Sequence, residues 1–136
     1  MKVIDYLNKE EKNKVDKLAW NIVGHGGKTT TYIRIGDDGE LNYDDFIITG
    51  SSVLINKYFD YLELNMPDLD IKDEEIKAYM PIINYIAKEE GKEDVLKKDY
   101  QYQYNFLYFY ILNRKRCIQV LLELQRCIIE YNKFQD

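Results

Sequence analysis

The sequence predicts an α+β fold that is mainly helical, with four to five helices and a long C-terminal helix packed against a small antiparallel β-hairpin. Three observations carry this. Residues 94–133 contain neither proline nor glycine and repeat apolar residues every three or four positions, the period of a helix. Residues 29–35 (TTTYIRI) are β-branched and aromatic, and Gly36-Asp37-Asp38-Gly39 follows them as turn chemistry. Shorter stretches with helical periodicity fill the remainder, each bounded by glycine or proline. At 136 residues the chain is long enough for one core, and 1–136 reads as a single domain.

Taken in order, residues 2–22 read as an amphipathic helix with Val3, Ile4, Leu7, Val15, Leu18, Ala19 and Ile22 on its apolar stripe. Trp20 is expected to anchor this helix against the C-terminal one, and Gly24 to Gly27 to end it. The strand at 29–35 turns at 36–39 and returns from Glu40, with Phe46-Ile47-Ile48 as its continuation or as a short helical turn. Thr49-Gly50-Ser51-Ser52 is expected to stop that element, with Ser51 or Ser52 capping a helix to about Leu64. Asp70 or Asp73 should cap the next helix, with Glu74 and Glu75 in a first turn that favours acids. Pro81 implies a kink or a fresh start, and Gly91 a stop. In the last helix, Tyr100, Tyr104, Leu107, Ile111, Ile118, Leu121, Leu122 and Ile129 form one stripe, with Phe109, Leu112, Val120, Cys127, Tyr131 and Phe134 opposite. A helix apolar on two sides is a central post or one wall of a homodimer.

Composition narrows the class. No apolar run approaches a membrane span and the N-terminus lacks a signal-peptide core, so a cytoplasmic protein is expected. Cys117 and Cys127, ten residues apart on one helix, lie beyond disulfide reach. Lys, Ile, Tyr and Asn (15, 16, 13 and 10) make up 54 of 136 residues, an AT-rich codon usage that fits a low-GC bacterium or its phage.

Charge is unevenly spread. Residues 37–75 hold twelve acids against Lys57 and Lys72, a formal −10, while the flanking stretches are +3 and +2. The acids Asp37, Asp38, Glu40, Asp44, Asp45, Asp68, Asp70, Asp73, Glu74 and Glu75 are the candidate partner-binding set. Carboxylates along a hairpin and two helix starts imitate phosphates and steer association with a basic cleft. A helix-turn-helix over residues 43–64 would set this charge against DNA, so direct nucleic-acid binding is not expected.

The alternative site is a phosphate or nucleotide cradle formed by Gly24, His25, Gly26, Gly27, Lys28 and Thr29 with Arg114, which interrupts the apolar stripe. It departs from a P-loop because Ile22 stands where a glycine is needed and the order is helix to strand. His25, the only histidine, has no visible orienting partner, so no catalytic constellation emerges. Asp68, Asp70 and Asp73 resemble the start of a calcium loop, but Lys72 takes a ligand position, and no metal or cofactor is expected. The reading is a non-enzymatic protein that docks on a basic, nucleic-acid-handling protein, in the manner of a phage or mobile-element inhibitor.

Overall fold

The computed structural model describes residues 7–24, 31–58 and 69–133. These form four helices and one hairpin: α1 (Lys9–Gly24), β1 (Thr31–Ile35), β2 (Leu41–Asp45), α2 (Phe46–Tyr58), α3 (Asp73–Glu89) and α4 (Tyr100–Lys133). The class is α+β and mainly helical, with the long C-terminal helix expected. No helix among the described residues is long and apolar enough to cross a membrane. The chain packs as two compact units. A helical unit comprises Met1–Thr30, Phe46–Pro67 and Arg114–Asp136, and a hairpin unit comprises Thr31–Asp45 and Asp68–Asn113.

In the helical unit, α1 starts at a reciprocal cap. Asn8 Oδ1 accepts from the Glu11 backbone N–H at 2.8 Å, and Glu11 Oε1 accepts from the Asn8 N–H at 3.2 Å. Two backbone donors that a helix start leaves open are thereby satisfied. The buried face of α1 is Val15, Leu18 and Ala19. Trp20 is 64% exposed, which corrects its expected role as an anchor. Two residues past Leu18 on a helix, it points about 200° away from the core.

Helix α2 corrects a second expectation. It begins at Phe46, directly after β2, and runs through the Thr49–Ser52 stretch that was expected to stop a preceding element. Ser51 and Ser52 are not caps; their hydroxyls donate back to the carbonyls of Ile47 and Thr49. Gly50 serves packing, since a Cβ there would meet Leu18 Cδ2 at 3.0 Å. Ile47, Leu54 and Tyr58 join Leu7, Val15 and Leu18 of the α1 segment and Cys117, Val120, Leu121 and Leu124 of α4 in one apolar core.

In the hairpin unit, β1 and β2 pair antiparallel with Ile35 opposite Leu41, Arg34 opposite Asn42 and Ile33 opposite Tyr43. Period-two alternation sends Ile33, Ile35, Leu41 and Asp45 inward and Arg34, Asn42 and Asp44 outward. The turn needs Gly39, whose φ is +80° and whose absent Cβ would fall 1.7 Å from the Val95 carbonyl oxygen. That approach lets the Lys97 N–H donate to the Gly39 carbonyl at 3.2 Å, tying the hairpin tip to the segment before α4.

Helix α3 is capped by backbone alone. Lys72 is its N-cap, without a side-chain bond, and Asp73 is the first helical residue rather than the cap. Pro81 lies inside one continuous α3, so no new helix starts there. The helix ends as expected at Gly91 (φ +66°). Lys92 N–H donates to Ala87 O at 2.8 Å and Gly91 N–H to Lys88 O at 3.3 Å, closing a Schellman motif.

Helix α4 starts later than Asp94, at Tyr100. Asp99 Oδ1 accepts from the N–H groups of Gln101 (2.9 Å) and Tyr102 (3.3 Å). Seven of its buried positions follow a four-three spacing, Gln103, Leu107, Tyr110, Arg114, Cys117, Leu121 and Leu124, with Ile111 and Val120 buried beside them. Tyr100, Leu122 and Ile129 of the expected stripe, and Phe109 of the opposite set, are exposed instead. Both cysteines are free thiols.

Candidate functional site

The hairpin unit concentrates the acids. By sequence it carries fifteen acids and seven cations, a formal −8, against nine acids and twelve cations, +3, in the helical unit. The helices supply this contrast by dividing the 37–75 stretch. Residues 46–67 go to the helical unit, while Glu89, Glu90, Glu93, Asp94 and Asp99 join the hairpin acids.

Each acid of the partner-binding set has a defined setting, apart from Asp68, which lies outside the described residues. Asp37, Asp38, Asp44, Asp70, Asp73 and Glu74 are exposed, and Glu40 and Glu75 are half-buried. Asp37 sits 3.7 Å from Lys92 Nζ, and Asp44 sits 3.8 Å from Arg34. Glu40 is 3.4 Å from Lys97 Nζ and also accepts from the Tyr102 hydroxyl. Asp73 pairs with Lys77 at 2.8 Å and accepts from Tyr104. These two bonds hold its carboxyl below the usual range, and Asp73 in turn pushes the Tyr104 phenol up. Pairs this exposed are screened and exchange easily, so they leave the carboxylates accessible.

Asp45 is different. It is fully buried and accepts from the Tyr110 hydroxyl at 2.7 Å. It belongs to the interior and leaves the set of accessible carboxylates. The tyrosine ring packs edge-on to Tyr43 (4.8 Å) and Tyr79 (6.0 Å). This setting was readable in part: Leu41, Tyr43 and Asp45 alternate, which places Asp45 on the apolar face of β2.

A shallow open depression of about 600 Å³ lies beside the hairpin, lined by Arg34, Ile35, Gly36, Asp37, Asn42, Glu90 and Lys92. None of these but Asp37 stood out in the sequence. Lys92 Nζ donates to the Ile35 carbonyl at 2.8 Å, bridging the α3 C-terminus to β1. Two cations and two carboxylates line the depression, so it favours neither sign of ligand charge. No cluster of three or more potential metal ligands occurs among the described residues.

The alternative cradle is only partly in view. Gly24 closes α1, and His25, Gly26, Gly27, Lys28 and Thr29 lie outside the described residues. Arg114 is buried to 8% exposure, with its stem on the buried line of α4. Every buried side-chain nitrogen and oxygen among the described residues has a hydrogen-bond partner.

Comparison with known proteins returns no family model, no curated protein and no solved structure that matches this chain.

Proposed function

We propose that this chain is a non-enzymatic binding protein whose acidic hairpin unit docks on a basic, nucleic-acid-handling protein. It would act in the cytoplasm as an inhibitor of the kind phages and mobile elements carry. The observation that carries this reading is the formal −8 of the hairpin unit beside +3 in the rest of the chain. Six exposed carboxylates (Asp37, Asp38, Asp44, Asp70, Asp73 and Glu74) support it. A field of one sign steers encounter with a cleft of the opposite sign and repels nucleic acid itself. Occupying that cleft would compete with its nucleic acid.

The test is a binding titration against DNA- and RNA-processing enzymes, with duplex DNA as competitor and salt raised from about 0.05 to 0.5 M. The expected result is an affinity that falls steeply with salt and binding that excludes the duplex. Reversing charge at Asp37, Asp38 and Asp44 should slow association on the order of tenfold at low salt, with little change in dissociation. Binding indifferent to salt, or to those three substitutions, would refute the reading. Asp45 is omitted from the variant because it is interior.

A further inference from the structure

The acids of the hairpin unit give steering but no anchor, and the outer face of α3 has the form of one. Stepping 100° per residue, Glu74, Ala78, Pro81, Ile82, Tyr85 and Glu89 fall within an arc of about 100°. All six are exposed, Ile82 to 46% and Tyr85 to 64%. The opposite face carries the buried Ile76, Ile83 and Ala87, so the helix already packs against its own unit from the other side. An apolar centre bracketed by carboxylates at both ends is therefore left on the surface. Lys77 and Lys88 run along one edge, and Lys77 is engaged by Asp73.

We infer that this face of α3 seats a basic amphipathic helix of the partner protein, its apolar stripe on Ile82 and Tyr85 and its cations toward Glu74 and Glu89. The inference rests on the acidic-docking reading and adds to it the contact that would slow dissociation. Charge decides among possible occupants. A second copy set on the same face would bring two units of −8 together, and an antiparallel two-fold pair would set Glu74 against Glu89 of its mate. An anionic membrane or a nucleic acid meets the same repulsion. An amphipathic helix with basic ends satisfies both the apolar centre and the acidic ends, packing helix against helix.

The experiment uses the full chain and two synthetic peptides of identical composition. One is a helix with a leucine stripe and arginines at both ends, and the other is a scramble with its leucines dispersed. Calorimetric titration at low salt should give at least tenfold tighter binding for the amphipathic peptide. The variant Ile82→Ala/Tyr85→Ala, which changes only exposed side chains, should reduce that peptide to the level of the scramble. Glu74→Lys/Glu89→Lys should weaken both peptides. Equal binding of the two peptides, or an advantage that survives Ile82→Ala/Tyr85→Ala, would overturn the inference while leaving acidic docking intact if binding remains sensitive to salt. Failure of both peptides to bind would instead count against acidic docking itself. Sedimentation completes the test, because a dimer dissolved by Ile82→Ala/Tyr85→Ala would make the occupant a second copy and refute the proposal.

Discussion

Both units bury an apolar interior, and they differ in what is added to it. The helical unit is built on a cluster of ten buried residues, nearly all aliphatic, from the α1, α2 and α4 segments. The hairpin unit buries Ile33, Ile35 and Leu41 of its ribbon with Ile76, Ile83 and Leu107 in its interior, and adds directed polar contacts to a two-stranded ribbon that is marginal in isolation. Tyr110 to Asp45, Lys92 to the Ile35 carbonyl, Lys97 N–H to the Gly39 carbonyl and Tyr102 to Glu40 are four such fasteners. Among the described acids of that unit only Asp45 is buried, and the others lie at the surface or half-buried. A carboxylate taken out of water needs a donor, which the Tyr110 hydroxyl supplies to Asp45, whereas the exposed acids keep their hydration.

Three measurements sharpen that contrast. The largest effect should come from Leu121→Ala, which opens a cavity at a fully buried site. Urea unfolding should show a loss of about 2–5 kcal/mol. Next is Tyr110→Phe, which keeps the ring and strips one donor from a buried carboxylate. A loss of about 1–3 kcal/mol is expected, with hydrogen-exchange protection falling first in β1 and β2. A loss spread evenly over the helical unit would break the distinction between the two modes.

The smallest effect concerns Glu11. Burial raises its carboxyl, but the Asn8 N–H, the Tyr58 hydroxyl and Lys57 outweigh this and hold it below the ordinary glutamate value of 4.5. A depressed carboxyl stabilises the fold above its unfolded pKa, and that contribution disappears as pH falls through the folded value. Thermal melts should therefore show Glu11→Gln costing stability at pH 7 and converging on the native chain under acid conditions. A gap of constant size down to pH 2 would contradict this.

The helix count, the hairpin and the Gly91 stop were legible because each rests on local signals. Elsewhere the decisive partner was distant in sequence. Gly50 and the two serines look like a break until Leu18 is seen against Gly50, and serine hydroxyls can turn back to helical carbonyls as easily as they cap. The Asn8–Glu11 cap was in plain view as a polar residue three before a glutamate. The buried line of α4 was obscured by its polar members Gln103 and Arg114, which a search for apolar residues passes over. The acidic stretch was legible as composition. Its division by α2, which moves residues 46–67 to the other unit, depends on the fold.

The inward side of β2, from Leu41 to Asp45, also governs alignment. Sliding β2 by one residue would bring Asn42 and Asp44 to the interior and expel Leu41 and Tyr43 into water. The phenol alone would not forbid the slip, since Asp44 could then stand in the place of Asp45; the loss of Leu41 from the interior is what forbids it. The apolar side of β2 thus fixes where the acids appear, because the outward display of Asp44 and the position of the Asp37-Asp38 tip follow from a single permitted register.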